Sequence, residues 1–372
     1  MSDAFGIITS SANHQRVSGL QDFRPMGAFS FAGRYRVIDF PLSNMSNSGI
    51  DHIQVYVREN PRSLIEHLSS GSSFNINSKK GKLQVLFSNN NTNDIYNTDV
   101  AAFSQNLNII ERIPEKYVVI APSYLIYVQD FSDLLRQHIA SGADITCLYH
   151  HVTNAKEKFL NCNVLNLNKQ KGVISIDYNR GTAKERNIFM STYVMAKDIF
   201  VELVKRSMAY SSVYTLAQAV GKAAETGEYD IRGIAHHGYF ETCSNFKSYF
   251  DANLDLLNIE ESQALFSKEW PIYTVTTDSA PTRYFETGSA KNSLIANGCT
   301  VKGTVENSVI GRGVMIEEGA VIRNCVVLAY AKIGKDVHLE NQVVDKWAQI
   351  VHTKEIVSTP DNPGYIKRED IL

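Results

Sequence analysis

Apolar residues fall into two textures along this chain. Up to about residue 255, short apolar runs alternate with segments that are apolar every three to four positions. The runs at 5–9, 53–57, 82–87, 117–121 and 144–149 are strand-sized. Between them lie amphipathic stretches such as Ser63-Leu-Ile-Glu-His-Leu and Phe131-Ser-Asp-Leu-Leu-Arg-Gln-His-Ile-Ala, the second closed by Ser141-Gly142 as a helix stop. Residues 163–177 read as a hairpin turning near 169–172, and 198–207 and 244–257 as helices. That order of elements predicts an α/β domain with a mostly parallel sheet.

After Trp270 the texture changes. Residues 271–288 are rich in Thr, Pro and Ser and read as a linker. Then aliphatic residues recur every six positions: Ile310, Ile316, Ile322 and Leu328, with their neighbours Val309, Met315, Val321 and Val327. Ile295 and Val301 share the spacing before a break, and Ile333 and Leu339 resume it one residue out of phase. A six-residue aliphatic repeat predicts a parallel β-helix, each repeat forming one flat side of a coil. The chain therefore divides into an α/β domain (1–255), a linker (256–290) and a β-helix (291–372). This pairing narrows the field to sugar-nucleotide enzymes and acyltransferases.

Composition changes little in this picture but removes alternatives. With 372 residues and 44% hydrophobic side chains, two packed domains are expected. A net charge of -2 and the lack of a long basic run argue against nucleic-acid binding. No apolar stretch approaches the roughly 20 residues of a membrane span, and no secretory signal is seen, so no membrane partner and a cytoplasmic location are expected. The five cysteines are dispersed, with no CxxC pair, and read as reduced thiols.

The segment Phe31-Ala-Gly-Arg-Tyr-Arg-Val-Ile-Asp-Phe-Pro-Leu-Ser-Asn-Met-Ser-Asn-Ser-Gly-Ile closely resembles a hallmark of the ADP-glucose pyrophosphorylases, the glucose-1-phosphate adenylyltransferases. The likeness continues at Tyr249-Phe-Asp-Ala-Asn-Leu-Asp-Leu, Trp270-Pro-Ile-Tyr-Thr, Asn292-Ser-Leu-Ile-Ala-Asn-Gly-Cys and Glu306-Asn-Ser-Val-Ile. The resemblance implies a Rossmann-like (GT-A-like) nucleotidyltransferase domain, a left-handed β-helix and a tetramer. It also implies a reaction that makes ADP-glucose and pyrophosphate from ATP and glucose 1-phosphate for glycogen synthesis.

Against that pattern, the positions that do the chemistry are altered. In-line attack on a nucleotide phosphorus needs magnesium on carboxylate oxygens and a glycine-rich turn whose N–H groups approach the phosphates. The family's glycine loop reads here Ser10-Ser11-Ala12-Asn13-His14-Gln15-Arg16-Val17, without glycine; Arg16 alone remains as a residual phosphate-binding candidate. The family's Arg-Ala-Lys-Pro run is Arg24-Pro25-Met26-Gly27. The two metal carboxylate positions fall on Ser123 and Thr242. The sugar-phosphate Glu-Lys-Pro appears as Asp177-Tyr178-Asn179, and a glutamine expected near adenine aligns with Arg58. Catalytic residues and metal ligands are therefore expected to be absent here, with Mg and ATP expected only in a catalytic partner. What stays is basic. By the resemblance, Arg24 and Arg36 lie in an effector pocket between the domains, with Arg312 from the β-helix, and paired guanidinium groups suit a sugar phosphate. The pattern matches a regulatory (GlgD-type) subunit in a hetero-tetramer with a catalytic subunit. A weakly active adenylyltransferase and a stand-alone sugar-phosphate sensor are the competing readings, with Glu241 and Asp99 the acids that could rescue the former.

Overall fold

In the computed structural model, residues 3–10, 16–58, 60–77, 79, 81–87, 98–211 and 213–372 are described. Strand Ala4–Thr9 runs parallel to His52–Val57 on one side and to Tyr117–Pro122 on the other, and Lys82–Phe87 extends the sheet beyond His52–Val57. Along Ala4–Thr9, Phe5 and Ile7 enter one core while Ala4 and Ile8 enter the other, as a strand's two-residue period requires. A sheet covered on both faces accounts for the apolar runs. Arg186–Ala196 lies antiparallel to both Tyr117–Pro122 and Ile145–Val152. Ile231–His236 pairs parallel to Ile145–Val152, and the hairpin Asn163–Leu167/Val173–Tyr178 brings the sheet to nine strands. The pattern reading assigns no element to Arg186–Ala196 because Asn187, Ser191 and Thr192 interrupt it. A bulge between Phe189 and Thr192 accommodates them, with Ser191 in the left-handed region at φ 48°.

Helix Phe131–Ser141 shows the local logic of the domain. Asp130 caps its start by accepting from the N–H groups of Ser132 and Asp133, and Gly142 ends it at φ 67°. Among the described residues no helix is long and apolar enough to cross a membrane.

The C-terminal domain is a left-handed parallel β-helix of three five-stranded sheets. Val309, Val326 and Val343 stack in register, so a full coil takes 17 residues. Two sides of the coil use six residues and the third uses five, which explains the phase slip in the sequence. The inward column therefore runs Ile310, Ile316, Ile322, Val327, Ile333, Leu339, Val344, Ile350, all fully buried. Leu328, which the six-residue count places inside, joins the core of the α/β domain instead, and Met315 faces solvent. The coil also begins before residue 291, since Arg283–Tyr284 and Ser289–Lys291 already pair into its sheets. Helix Ile259–Leu265 occupies part of the 256–290 segment.

One corner of the coil carries Gly298, Gly313, Tyr330 and Trp347, all at positive φ. Two bulky aromatics in that conformation need compensation. Tyr330 lies over Gly313 and stacks on Trp347 at 5.9 Å and 9°, and Arg368 lies over the Trp347 ring at 4.7 Å. Arg368 also reaches Phe23 of the first domain at 5.9 Å. The segment before the coil is pinned to the hallmark helix Asp39–Asn47: Trp270 donates to Asn44 and the Tyr273 N–H to Ser43.

Candidate functional site

A cavity of about 380 Å³ opens at the C-terminal ends of Ala4–Thr9 and His52–Val57, where ligands enter open α/β sheets. Thr9, Arg58, Asp99, Asn163, Tyr193 and Gln218 are among its walls. Much of the altered glycine loop, residues 11–15, lies outside the described residues. Arg16 is exposed, makes no ion pair among the described residues and does not line this cavity.

The two expected carboxylate positions lie on segments that pair with each other. Ser123 follows strand Tyr117–Pro122, and its N–H donates to the Thr9 carbonyl at 2.9 Å. The next strand, Leu125–Tyr127, pairs antiparallel with Phe240–Thr242, which sets Thr242 opposite Leu125. The Cys243 N–H donates to the Tyr124 carbonyl, completing the link. Ser123 and Thr242 are both buried, and the Thr242 Oγ1 has no hydrogen-bond partner. Met26, where the resemblance implies a phosphate-facing lysine, is 2% exposed and belongs to the main core.

Nearby acids do not supply what these positions lack. Glu241 pairs with Ile126 on the alternate register and points its carboxylate to Lys158 at 2.9 Å, which also reaches Asp255 at 3.3 Å. It lines a different cleft, together with Asn292 and Asn307 of the β-helix. Asp99 accepts from the N–H groups of Val100 at 2.8 Å and Leu216 at 3.1 Å, and burial raises its carboxyl above the ordinary range while Arg58 opposes that. The residues present therefore do not fit a magnesium ion bridging phosphates. Among the described residues no three His, Cys, Asp or Glu side chains form a metal-holding group. Of the altered sugar-phosphate motif, Tyr178 lines the cavity, whereas Asn179 is buried and donates to the Ala155 and Phe159 carbonyls.

The three arginines singled out in sequence converge at the junction of the domains, but in different roles. Arg24 is 2% exposed and makes two hydrogen bonds to Asp345, at 2.9 and 2.7 Å. Asp345 also accepts from Tyr365 at 2.8 Å and from the Lys346 N–H at 2.6 Å. Arg24 is thus a domain-joining residue whose Nη1 is buried and unpartnered. Arg36 donates to the Ser63 carbonyl, and its own N–H goes to Asp39. Burial lowers the Arg36 pKa; Asp39 opposes this, and Arg24 and Arg312 add smaller downward pulls. Arg312 donates to the Val275 carbonyl at 3.0 Å, and its Nε is unpartnered.

Sequence reasoning missed Lys346. It follows Asp345, and no hydrogen bond or ion pair ties its amine among the described residues. Burial, then Arg36 and Arg24, pull its pKa down to about 7. It occupies the corner position one coil beyond Ala329, legible only once the 17-residue coil is known. Sequence reasoning also missed the meeting of His150 and His236 across paired strands, Nδ1 to Nδ1 at 3.0 Å. Burial lowers both imidazoles, His236 to about 4, and the pair packs against Tyr127 and Phe240.

The fold and the position of the cavity define a nucleotidyltransferase-type domain joined to a hexapeptide-type coil, and comparison agrees. The nucleotidyl transferase family model matches residues 6–258, about two thirds of the chain, and a GlmU-like C-terminal hexapeptide model matches 279–362. The chain belongs to the nucleotidyl transferase family. Its curated relatives include a glucose-1-phosphate adenylyltransferase of Fervidobacterium nodosum, 29% identical over 350 residues, covering 92% of this chain and 83% of that protein. Another, from Bacillus cereus, is 28% identical over 350 residues, with 91% and 90% covered. The similarity to these adenylyltransferases thus spans both domains.

Proposed function

We propose that this chain is a regulatory, catalytically impaired subunit of a glucose-1-phosphate adenylyltransferase, assembling with a catalytic subunit that converts ATP and glucose 1-phosphate to ADP-glucose and pyrophosphate in glycogen synthesis. The observation that carries the reading is the pair Ser123 and Thr242: two neutral, buried residues, Thr242 opposite Leu125 and Ser123 two residues before it, stand where in-line phosphoryl chemistry needs metal carboxylates. Met26 in the core adds to it, because a thioether offers no charge to a phosphate. Mg and ATP then belong to the partner, and this chain acts through contact and through an effector. The cations Arg36, Arg312 and Lys346 at the domain junction support a sugar-phosphate effector, with Arg24 holding the junction together. The test is ADP-glucose synthesis by this chain alone, the catalytic subunit alone and the two mixed. Near-zero, basal and raised rates are expected in that order. Turnover by this chain alone at about 1 per second or faster refutes the proposal.

A further inference from the structure

The cavity beside the altered site has chemistry of its own. Arg58 and Asp99 are the only charged side chains among its described walls, so the described lining is close to neutral. Helix Leu216–Thr226 points its N-terminus at this space, and a helix N-terminus is a natural seat for a phosphate. That seat is filled from within: the N–H of Leu216 donates to the Asp99 carboxylate. An incoming phosphate ester would meet the Asp99 carboxylate in place of that N–H, and the nearby Arg58 is already offset by Asp99. The neutral groups are different. The Asn163 carboxamide, the Gln218 Nε2 and the Tyr193 hydroxyl have no hydrogen-bond partner among the described residues, although each lines the cavity. A carboxylate, two carboxamides and tyrosine rings around about 380 Å³ suit a small polyhydroxylated ring, whose hydroxyls both donate and accept and whose C–H faces lie against aromatic surface.

We propose that this cavity binds an uncharged sugar of one or two rings, and that Asp99 excludes phosphorylated sugars and nucleotides from it. The proposal concerns this chain alone and holds whether or not it regulates a catalytic subunit.

Isothermal titration of the full chain tests it with four probes: glucose, maltose, glucose 1-phosphate, and ATP with magnesium. At least one neutral sugar is expected to give a saturable heat, and both phosphorylated probes to bind at least about tenfold more weakly. Asn163→Ala and, on the exposed rim, Gln218→Ala should each weaken the sugar by about threefold to tenfold. Asp99→Asn, which keeps an acceptor for the Leu216 N–H but removes the charge, should narrow the gap between glucose and glucose 1-phosphate. Circular dichroism melts confirm that each variant is folded, and Gln218→Ala carries the test if Asn163→Ala is not. The proposal is overturned if no neutral sugar binds, if glucose 1-phosphate or ATP binds the parent as tightly as the sugar, or if sugar binding is indifferent to the folded variants.

Discussion

Asp345→Asn should loosen the junction between the two domains more than any other single polar substitution there. Asp345 is fully buried and takes both Arg24 bonds, the Tyr365 hydroxyl and the Lys346 N–H. Asparagine keeps the size but removes the charge, and it turns an NH2 toward groups that are themselves donors. Arg24 is then a buried cation without a counter-charge. Breaking one side of a buried pair costs about 3–5 kcal/mol, whereas replacing both sides with apolar residues is often close to neutral. Urea denaturation followed by tryptophan fluorescence reads this directly, because the chain has two tryptophans, one on each domain. Trp270 is bonded to Asn44 of the α/β domain, and Trp347 sits in the aromatic stack of the coil. Asp345→Asn should lower the unfolding free energy by about 3–5 kcal/mol and separate the transitions reported by Trp270→Phe and Trp347→Phe variants. Arg24→Met combined with Asp345→Leu should recover most of the loss. A loss under about 1 kcal/mol for Asp345→Asn would mean that the pair is solvated, and Arg24 would return to the list of effector ligands.

Three further outcomes are expected. Thr242→Asp alone should leave ADP-glucose synthesis undetectable in a coupled pyrophosphate assay; a rate approaching that of an active family enzyme would show that the other replacements are minor. Gly19→Ala should destabilise the chain in the same urea assay, because Gly19 has φ 83° and an added Cβ would lie 2.3 Å from the ring of Tyr365; an unchanged midpoint would show that this ring is free to move. Lys346 should confer pH dependence. Folding lowers its amine from 10.5 to about 7, so its stability cost is fully present below pH 7 and is relieved as the pH rises from 7 toward 10.5. A phosphate anion at the junction favours the protonated amine, so glucose 1-phosphate binding measured by calorimetry should weaken between pH 6 and 8, and Lys346→Met should flatten that slope. A slope unaltered in Lys346→Met would place the titrating group elsewhere.

Part of the first domain was legible because apolar spacing is local: the strands from Ala4–Thr9 to Ile145–Val152 and helices such as Phe131–Ser141 show it, whereas Arg186–Ala196, Leu216–Thr226 and Ile231–His236 do not stand out in the sequence. The coil was legible too, since six-residue repetition is visible without any structure. The inward residue of the third side was not, because a five-residue side moves it from Leu328 to Val327, and only stacking against neighbouring coils fixes that choice. The same holds at the site. The absence of acids at Ser123 and Thr242 can be read from the letters, whereas the meeting of their segments depends on the pairing of Leu125–Tyr127 with Phe240–Thr242. Asp99 reads as a spare acid in sequence. Its actual partner, the N–H of Leu216, is 117 residues away, so no motif could have exposed it. Arg24 was visible as an arginine near the hallmark, but its commitment to Asp345 spans 321 residues.

These contacts also bear on why the altered positions would resist restoration one at a time. Each has been absorbed into the packing of the fold. Met26 is part of the main core, Thr242 is buried on a strand paired with Leu125–Tyr127, and Glu241 is held by Lys158. An aspartate introduced at 242 would enter a buried position whose hydroxyl already lacks a partner. Without a metal or a cation beside it, burial would raise its pKa and favour the neutral acid, which is a poor magnesium ligand. A lysine at 26 would need to bury an ammonium in the main core or displace the helical turn Met26–Ala28 that carries it. The charges that catalysis requires stabilise one another through the metal and the phosphates, so each one introduced alone costs stability before it can contribute to rate. Recovery of chemistry should therefore require the two carboxylates, the lysine and the phosphate loop together.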